Sequence, residues 1–214
     1  MNVLAGSIST RRVTTRQREC LRALVLAAVL MFASVRAIAG NDRDVDIRIH
    51  VEGDVVSVDA SMLVAATPQE VWSVFVDFDH MAQFISNLKS SAVVARSGDT
   101  VTVAQAGEAS YGPLKFAFES VRELRLMPVE KIRSHMISGN MKRFAGVTEF
   151  AAEGAGTRVT YHSEAVPDRW IPPLIGPRFI EQETREQLSE FRAEVLRRKL
   201  AQAAVDKADS LRQH

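Results

Sequence analysis

ATPQEVWSVFVDFDHMAQFISN, residues 66–87, is the stretch on which the reading of the whole chain turns. Thr67 can cap the free backbone N–H groups that open a helix. Pro68 suits the first helical position, where no N–H needs a partner, and Glu70 stands where a capping box places its acid. Val71, Trp72, Phe75 and Phe78 follow near helical spacing. Asp77 and Asp79 sit where the helix dipole is negative, so the pattern predicts a break near Asp79. A second short helix is expected over Met81 to Leu88.

The flanking sequence has a different period. Before the two helices, Val45, Ile47, Ile49 and Val51 alternate with Asp44, Asp46, Arg48, His50 and Glu52, the period of a half-buried strand. Gly53-Asp54 suits a tight turn, and Val55 to Val64 reads as the partner strand of a hairpin. After the helices, turn signals recur at Ser97-Gly98-Asp99, Tyr111-Gly112-Pro113, Met127-Pro128, Ser138-Gly139-Asn140 and Gly154-Ala155-Gly156. Between them the pattern predicts strands over 90–96, 100–109, 114–125, 130–137, 143–152 and 157–165, an antiparallel meander. Leu114, Phe116 and Phe118 share one face, with Lys115 and Glu119 on the other. Ile132 and Met136 oppose Arg133 and His135 in the same way. One face is apolar and needs a cover.

That cover is expected from the C-terminal helix, which Gly176-Pro177 opens. Ile180, Leu188, Phe191, Val195 and Leu200 form its apolar stripe, broken by Thr184. Glu181 with Arg185, and Glu194 with Arg198, are expected to pair on its wet side. Residues 201–214 are polar and are expected to fray.

The N-terminus reads as something apart from this core. Arg11, Arg12, Arg16, Arg18 and Arg22 precede an apolar run from Ala23 to Val35, and Ala37-Ile38-Ala39 supplies a small-x-small cleavage pattern. This predicts a secretory signal over residues 1–39, cut after Ala39, with a periplasmic destination for the rest. The run is shorter than the roughly 20 residues that a membrane span needs. The chain has 27 Lys+Arg and 26 Asp+Glu, and six Arg and one Glu fall within residues 1–39, which leaves the remainder at a net −4. That sign, with no basic run interleaved with aromatics, argues against a nucleic-acid partner. The one cysteine, Cys20, falls within the signal, so no disulfide is expected in the domain.

The order hairpin, two short helices, six-stranded meander, long C-terminal helix resembles the START-like (SRPBCC) superfamily. That superfamily includes polyketide cyclase/dehydrase-like proteins and a coenzyme-Q-binding subgroup. Ala66 to Trp72 is similar to the family's A-x-x-E-V-W stretch, and Asp77 to Asn87 to its D-F-x-x-M-x-x-F-x-P-N stretch, with Ser86 where many members have Pro. Gly139-Asn140-Met141-Lys142-Arg143-Phe144 and Thr157-Arg158-Val159-Thr160-Tyr161 resemble its late strands. The resemblance implies an α+β helix-grip domain over 40–200. In this fold a curved antiparallel sheet wraps a long C-terminal helix, with two short helices early in the chain, after the opening strand unit. Members of the superfamily bind lipids, sterols, quinones, polyketides or hormones in a cavity between sheet and helix, and only some are enzymes. The implied role is a periplasmic carrier or sequestering protein for a lipid, quinone or isoprenoid. A cyclase/dehydrase-type enzyme acting on an apolar substrate is the alternative. An accessory protein whose cavity is filled by its own side chains is the third reading.

Phe84, Phe116, Phe118, Met136, Phe144 and Tyr161 are the candidate cavity-lining residues, with Tyr161 or Ser134 as a polar anchor. Trp170, Ile171 and Leu174, in the apolar connector Trp170-Ile171-Pro172-Pro173-Leu174-Ile175, are candidates for a portal or transient membrane contact. His135, His162, Glu108, Glu119 and Glu149 are the titratable candidates for catalysis; alternation places both histidines on the solvent face, so no catalytic residue is assigned. Asp77, Asp79 and His80 bracket a helix break and read as a turn, so no metal site is assigned. No cofactor motif is present: Gly154-Ala155-Gly156 lies between two strands and reads as a hairpin loop.

Overall fold

The computed structural model describes residues 45–112, 114–168 and 176–212. The expected signal segment and the candidate portal residues Trp170, Ile171 and Leu174 lie outside them. The opening hairpin is β1 (Val45–Glu52) and β2 (Val55–Val64). Gly53 takes a positive φ of 61° in the turn, a conformation open to glycine at little cost. Next come α1 (Pro68–Phe75) and a 3-10 helix (Phe78–Gln83). The meander follows as β3 (Leu88–Ser97), β4 (Thr100–Tyr111), β5 (Leu114–Met127), β6 (Lys131–Gly139), β7 (Met141–Glu153) and β8 (Gly156–Pro167). The last element is α2 (Gly176–Arg212).

The eight strands form one antiparallel sheet in the order β1-β2-β8-β7-β6-β5-β4-β3. Register follows the hydrophobic alternation. Val58 faces Ser163, Ala60 faces Tyr161 and Met62 faces Val159, which puts the apolar side of β2 and that of β8 on one surface. This inner surface packs on the helices. Trp72 and Phe75 of α1 meet Phe150 of β7 edge-on, at ring separations of 5.5 and 5.1 Å, and Phe75 stacks on Phe191 of α2 at 4.3 Å. Val64, Val71, Val74, Val101, Val103 and Val159 complete a core that is closed to water. At its edge the fully buried Thr157 donates its hydroxyl to the Ala66 carbonyl at 2.7 Å, which fixes the exit from β2 into α1.

The capping box forms as its residues predict. The Thr67 N–H donates to Glu70 Oε2 at 2.6 Å, and the Glu70 N–H donates to Thr67 Oγ1 at 3.3 Å. The break comes earlier than Asp79: α1 stops at Phe75, and the second short helix begins at Phe78 instead of Met81. Tertiary bonds explain the shift. Asp77 turns its carboxylate to His80 at 2.6 Å and to Arg198 of α2 at 2.7 Å, and Asp79 accepts the Val93 N–H at 2.8 Å. The six meander strands all occur where predicted and run one or two residues further at one or both ends, except that β6 starts one residue later, at Lys131.

Three expectations for α2 need correction. Leu200, placed on the buried stripe, is 57% exposed, because the helix has by then run past the elements it packs against. Glu194, placed on the wet side, is buried and held by Arg197 at 2.6 Å and Arg198 at 2.6 Å. Residues 201–212, expected to fray, continue the helix with every side chain exposed. No helix among the described residues is long and apolar enough to cross a membrane.

Candidate functional site

The inner positions of β5 are Phe116, Phe118, Ser120, Arg122, Leu124 and Leu126, the even-numbered side of a strand with period two. Arg122 is the unexpected member of that row. It lies opposite Val103 on β4 and Met136 on β6. A β-bulge sits beside it, since the β6 partner jumps from Met136 to Ser138 as β5 steps from Arg122 to Val121. Bulges of this kind re-aim side chains and recur near functional sites.

Arg122 is held by neutral groups. Its Nη2 donates to Gln105 Oε1. Gln105 is itself buried, and its Nε2 donates to Ser91 Oγ at 3.0 Å and to Met81 Sδ at 3.5 Å, which turns the amide oxygen toward the guanidinium. The guanidinium carbon lies 5.8 Å from the centre of the Phe144 ring, within cation–π range. Arg122 Nε is buried and has no acceptor among the described residues. Burial pushes the guanidinium pKa down and the nearby Tyr161 opposes that shift, yet an arginine remains cationic in water-accessible pH ranges. Burial pushes the Tyr161 phenol up, against the opposing effects of the Ser163 hydroxyl and the Arg122 charge. At neutral pH the two side chains therefore present a fixed cation and a neutral hydroxyl donor.

Access to this centre differs along the sheet. Toward α1 the inner residues Leu124, Ile132, Phe150 and Val159 are buried beneath Trp72 and Phe75. Away from α1, Ser134, Met136, Phe144, Thr148 and Tyr161 stay partly exposed on the same face. The reason is where α2 rests. Its principal contacts are with β1, β2 and α1. The concave inner face of β5 to β8, a shallow trough, is apolar in its walls and polar around Arg122. At its rim Phe179, in the first turn of α2, meets Phe116 at 5.1 Å.

The candidate lining residues divide among three places. Met136, Phe144 and Tyr161 gather around Arg122. Phe116 and Phe118 lie further along β5, toward the start of α2, and Phe116 is 46% exposed. Phe84 is apart from both groups: its ring packs on Phe191 at 5.7 Å and under Arg198 at 5.7 Å, where it helps wall the core. Arg122 and Gln105 were missed by the sequence reading, which found no charged group on the inner face. The signal was available, because both residues are in phase with apolar neighbours (Phe118 and Leu124, Val101 and Val103).

The outer face carries the remaining titratable candidates in surface pairs. His162 Nδ1 lies 2.7 Å from Asp59, His135 Nε2 3.7 Å from Glu123, and Glu149 2.6 Å from Lys131. Glu108 is shared by Lys89 and Lys115, which hold its carboxyl below the ordinary range. Glu119 is exposed. A groove of about 410 Å³ on this face is lined by Asp46, Arg48, Asp59, Glu149 and His162. Asp77 pairs with His80 and Arg198 while Asp79 accepts the Val93 N–H, and no group of three metal-ligating side chains occurs among the described residues.

The arrangement is similar to several solved structures. A STAR-related lipid transfer protein from Xanthomonas axonopodis matches with a TM-score of 0.62 at 14% identity, over 74% of this chain and 97% of that one. An aromatase/cyclase from a Streptomyces species matches with a TM-score of 0.58 at 15% identity, over 67% and 95%. Human StAR-related lipid transfer protein 5 matches with a TM-score of 0.54 at 11% identity, over 85% and 98%. At such identities the likeness is one of fold, the curved sheet gripping a C-terminal helix. None of the curated protein sequences matches this chain. The family model described as polyketide cyclase / dehydrase and lipid transport matches residues 55–196, from β2 to the buried part of α2, and the chain belongs to that family.

Proposed function

We propose that this protein binds a hydrophobic small molecule in the trough between β5–β8 and α2 and acts as a non-catalytic carrier or sequestering protein. The observation that carries the proposal is the partial exposure of Met136, Phe144 and Tyr161 on a sheet face whose other end is sealed core. Apolar side chains left accessible on an inner surface favour an apolar occupant, at about 25 cal/mol per Å² removed from water. The family supports the same reading, since its description includes lipid transport. A lipid, quinone or isoprenoid fits these walls. Export to the periplasm through the Arg-rich and apolar N-terminal segment, and entry of ligand past a Trp170–Leu174 lip at a membrane surface, are parts of the same proposal.

An enzyme of the cyclase/dehydrase type is the second reading, and Arg122 with Tyr161 favours it. A cation and a hydroxyl donor can stabilise a developing enolate. The reaction also needs a base: the inner positions of β4 to β8 carry no carboxylate or imidazole among the described residues, and the partly buried Glu183 of α2, whose pKa burial pushes up, is held by the Asn87 amide at 2.8 Å and is not among the groups beside Arg122. The carrier reading therefore leads.

The test is a titration with N-phenyl-1-naphthylamine, a neutral apolar fluorophore. Saturable enhancement at one probe per chain is expected, and Met136→Trp should abolish it by filling the trough. An absence of enhancement, or an enhancement untouched by Met136→Trp in a folded variant, would sink the carrier reading. Cell fractionation with antibody detection tests the periplasmic destination.

A further inference from the structure

Burying a charge is costly unless a partner of opposite sign or a full set of hydrogen bonds meets it. Arg122 has neither among the described residues. A guanidinium has five N–H donors, and Gln105 Oε1 accepts one of them. Nε is buried without an acceptor. The Phe144 ring offers a negative face and no hydrogen-bond lone pair. Among the described residues no carboxylate is bonded to Arg122, and the inner positions of β4 to β8 hold no other charged side chain.

The surroundings are built to keep this group in place. Gln105 is locked by Ser91 and Met81, and the bulge at Ile137 sits beside Arg122. Tyr161, Ser134 and Ser163 place hydroxyls on the same face. Met136 and Phe144 supply apolar surface immediately around it.

We infer that the trough selects an amphiphile with a single carboxylate head, bound by the free edge of the Arg122 guanidinium and the Tyr161 hydroxyl, with its apolar body along β5 toward Phe118 and Phe116. The inference rests on the ligand-binding reading above and specifies its ligand class. The planar fork of arginine matches two carboxylate oxygens at once, which an ammonium cannot do. One cation balances one negative charge, so a carboxylate fits better than a phosphate monoester, which carries up to two.

The experiment compares three amphiphiles of equal chain length, dodecanoate, 1-dodecanol and dodecyl phosphate, as displacers of N-phenyl-1-naphthylamine at pH 8. Wild type should require at least tenfold less dodecanoate than dodecanol for half displacement. Arg122→Met should erase that preference, bringing the half-displacement concentrations of dodecanoate and dodecanol within about twofold of each other. This variant removes a partly buried charge that has no carboxylate partner but leaves the buried Gln105 Oε1 without its donor, so its fold is verified by circular dichroism and thermal melting before the titration. Arg122→Lys keeps the charge without the fork and should retain only part of the preference. Equal displacement by dodecanol and dodecanoate in wild type, or a preference that survives in Arg122→Met, would overturn the inference. Tighter displacement by dodecyl phosphate would overturn the carboxylate assignment. Failure of the neutral probe itself would instead remove the underlying ligand-binding reading, and this inference with it.

Discussion

Arg198 Nη2 donates to Asp77 Oδ2 at 2.7 Å across 121 residues of sequence, and its Nε holds Glu194 Oε1 at 2.6 Å. One side chain thus fixes α2 against the turn after α1, with its guanidinium lying over Phe84. Arg198→Ala should destabilise the fold by about 2 kcal/mol, since it leaves two partly buried carboxylates short of a donor. Urea unfolding measures this, and a loss under 0.5 kcal/mol, about that of a surface change, would contradict it.

The same contact predicts a pH dependence. Burial works to raise the Asp77 pKa, but hydrogen bonds from His80 and Arg198 outweigh it and hold the group below its ordinary 3.8. Glu194 is held below its ordinary 4.5, first by Arg197 and then, against burial, by Arg198. Carboxyls depressed in the folded state add stability that is present above their unfolded pKa values and is lost as pH falls through the folded ones. Wild type should therefore lose stability more steeply than Arg198→Ala as pH falls below about 5. Parallel curves of unfolding free energy against pH would remove Arg198 as the cause.

Gly107 has its place because nothing larger fits. A Cβ there would lie 2.0 Å from the Asn87 carbonyl oxygen and 2.6 Å from the Phe118 ring. Gly107→Ala should cost about 3 kcal/mol through the displaced backbone at Asn87, the upper range of overpacking. Gly98→Ala is the control: it has open space and a φ of 57°, so only the left-handed strain of about 1 kcal/mol is expected. Equal losses in the two variants would mean that the close approach carries no energy.

Thr67→Ala should remove about 1 kcal/mol by opening the capping box at α1. The readout is chemical denaturation, and a variant as stable as wild type would show that packing of Trp72 and Phe75 alone holds the helix.

Tyr161 offers an optical report on the trough. The chain has two tyrosines, so Tyr111→Phe leaves Tyr161 as the only phenol. Its ultraviolet titration should fall above the ordinary 10.0, and higher still once Arg122→Met removes the cation that opposes burial. A phenol raised in the folded state contributes stability that is present below its unfolded pKa and is lost as pH rises through the folded value. A midpoint at or below 10.0 would place the hydroxyl in open water.

Much of the fold was legible because its signals are local. Thr67-Pro68-Gln69-Glu70 specifies a helix start through bonds within four residues. The alternation of Val45 to Val64 and of the meander strands fixes which side chains share a face, since period two leaves little choice. Gly53, Gly98, Gly112 and Gly154, all at positive φ, mark four of the turns, while Pro128 marks the one between β5 and β6. The six strands, their order along the chain and the covering helix follow from these.

The site was legible only in part, for a physical reason. Period two places Met136 and Tyr161 inward, but it cannot separate core from cavity, because both read as buried apolar positions. That distinction depends on where α2 rests, and its seating on β1, β2 and α1 is set by long-range bonds: Arg185 to the Val45 carbonyl, Arg198 to Asp77 and Lys199 to the Ala65 carbonyl. The same seating buries Glu194 and exposes Leu200, against the helical pattern. Arg122 shows the limit most clearly. Its phase on β5 was written in the sequence, whereas its lack of a carboxylate partner and its setting beside Gln105, Phe144 and Tyr161 exist only once four strands are brought together.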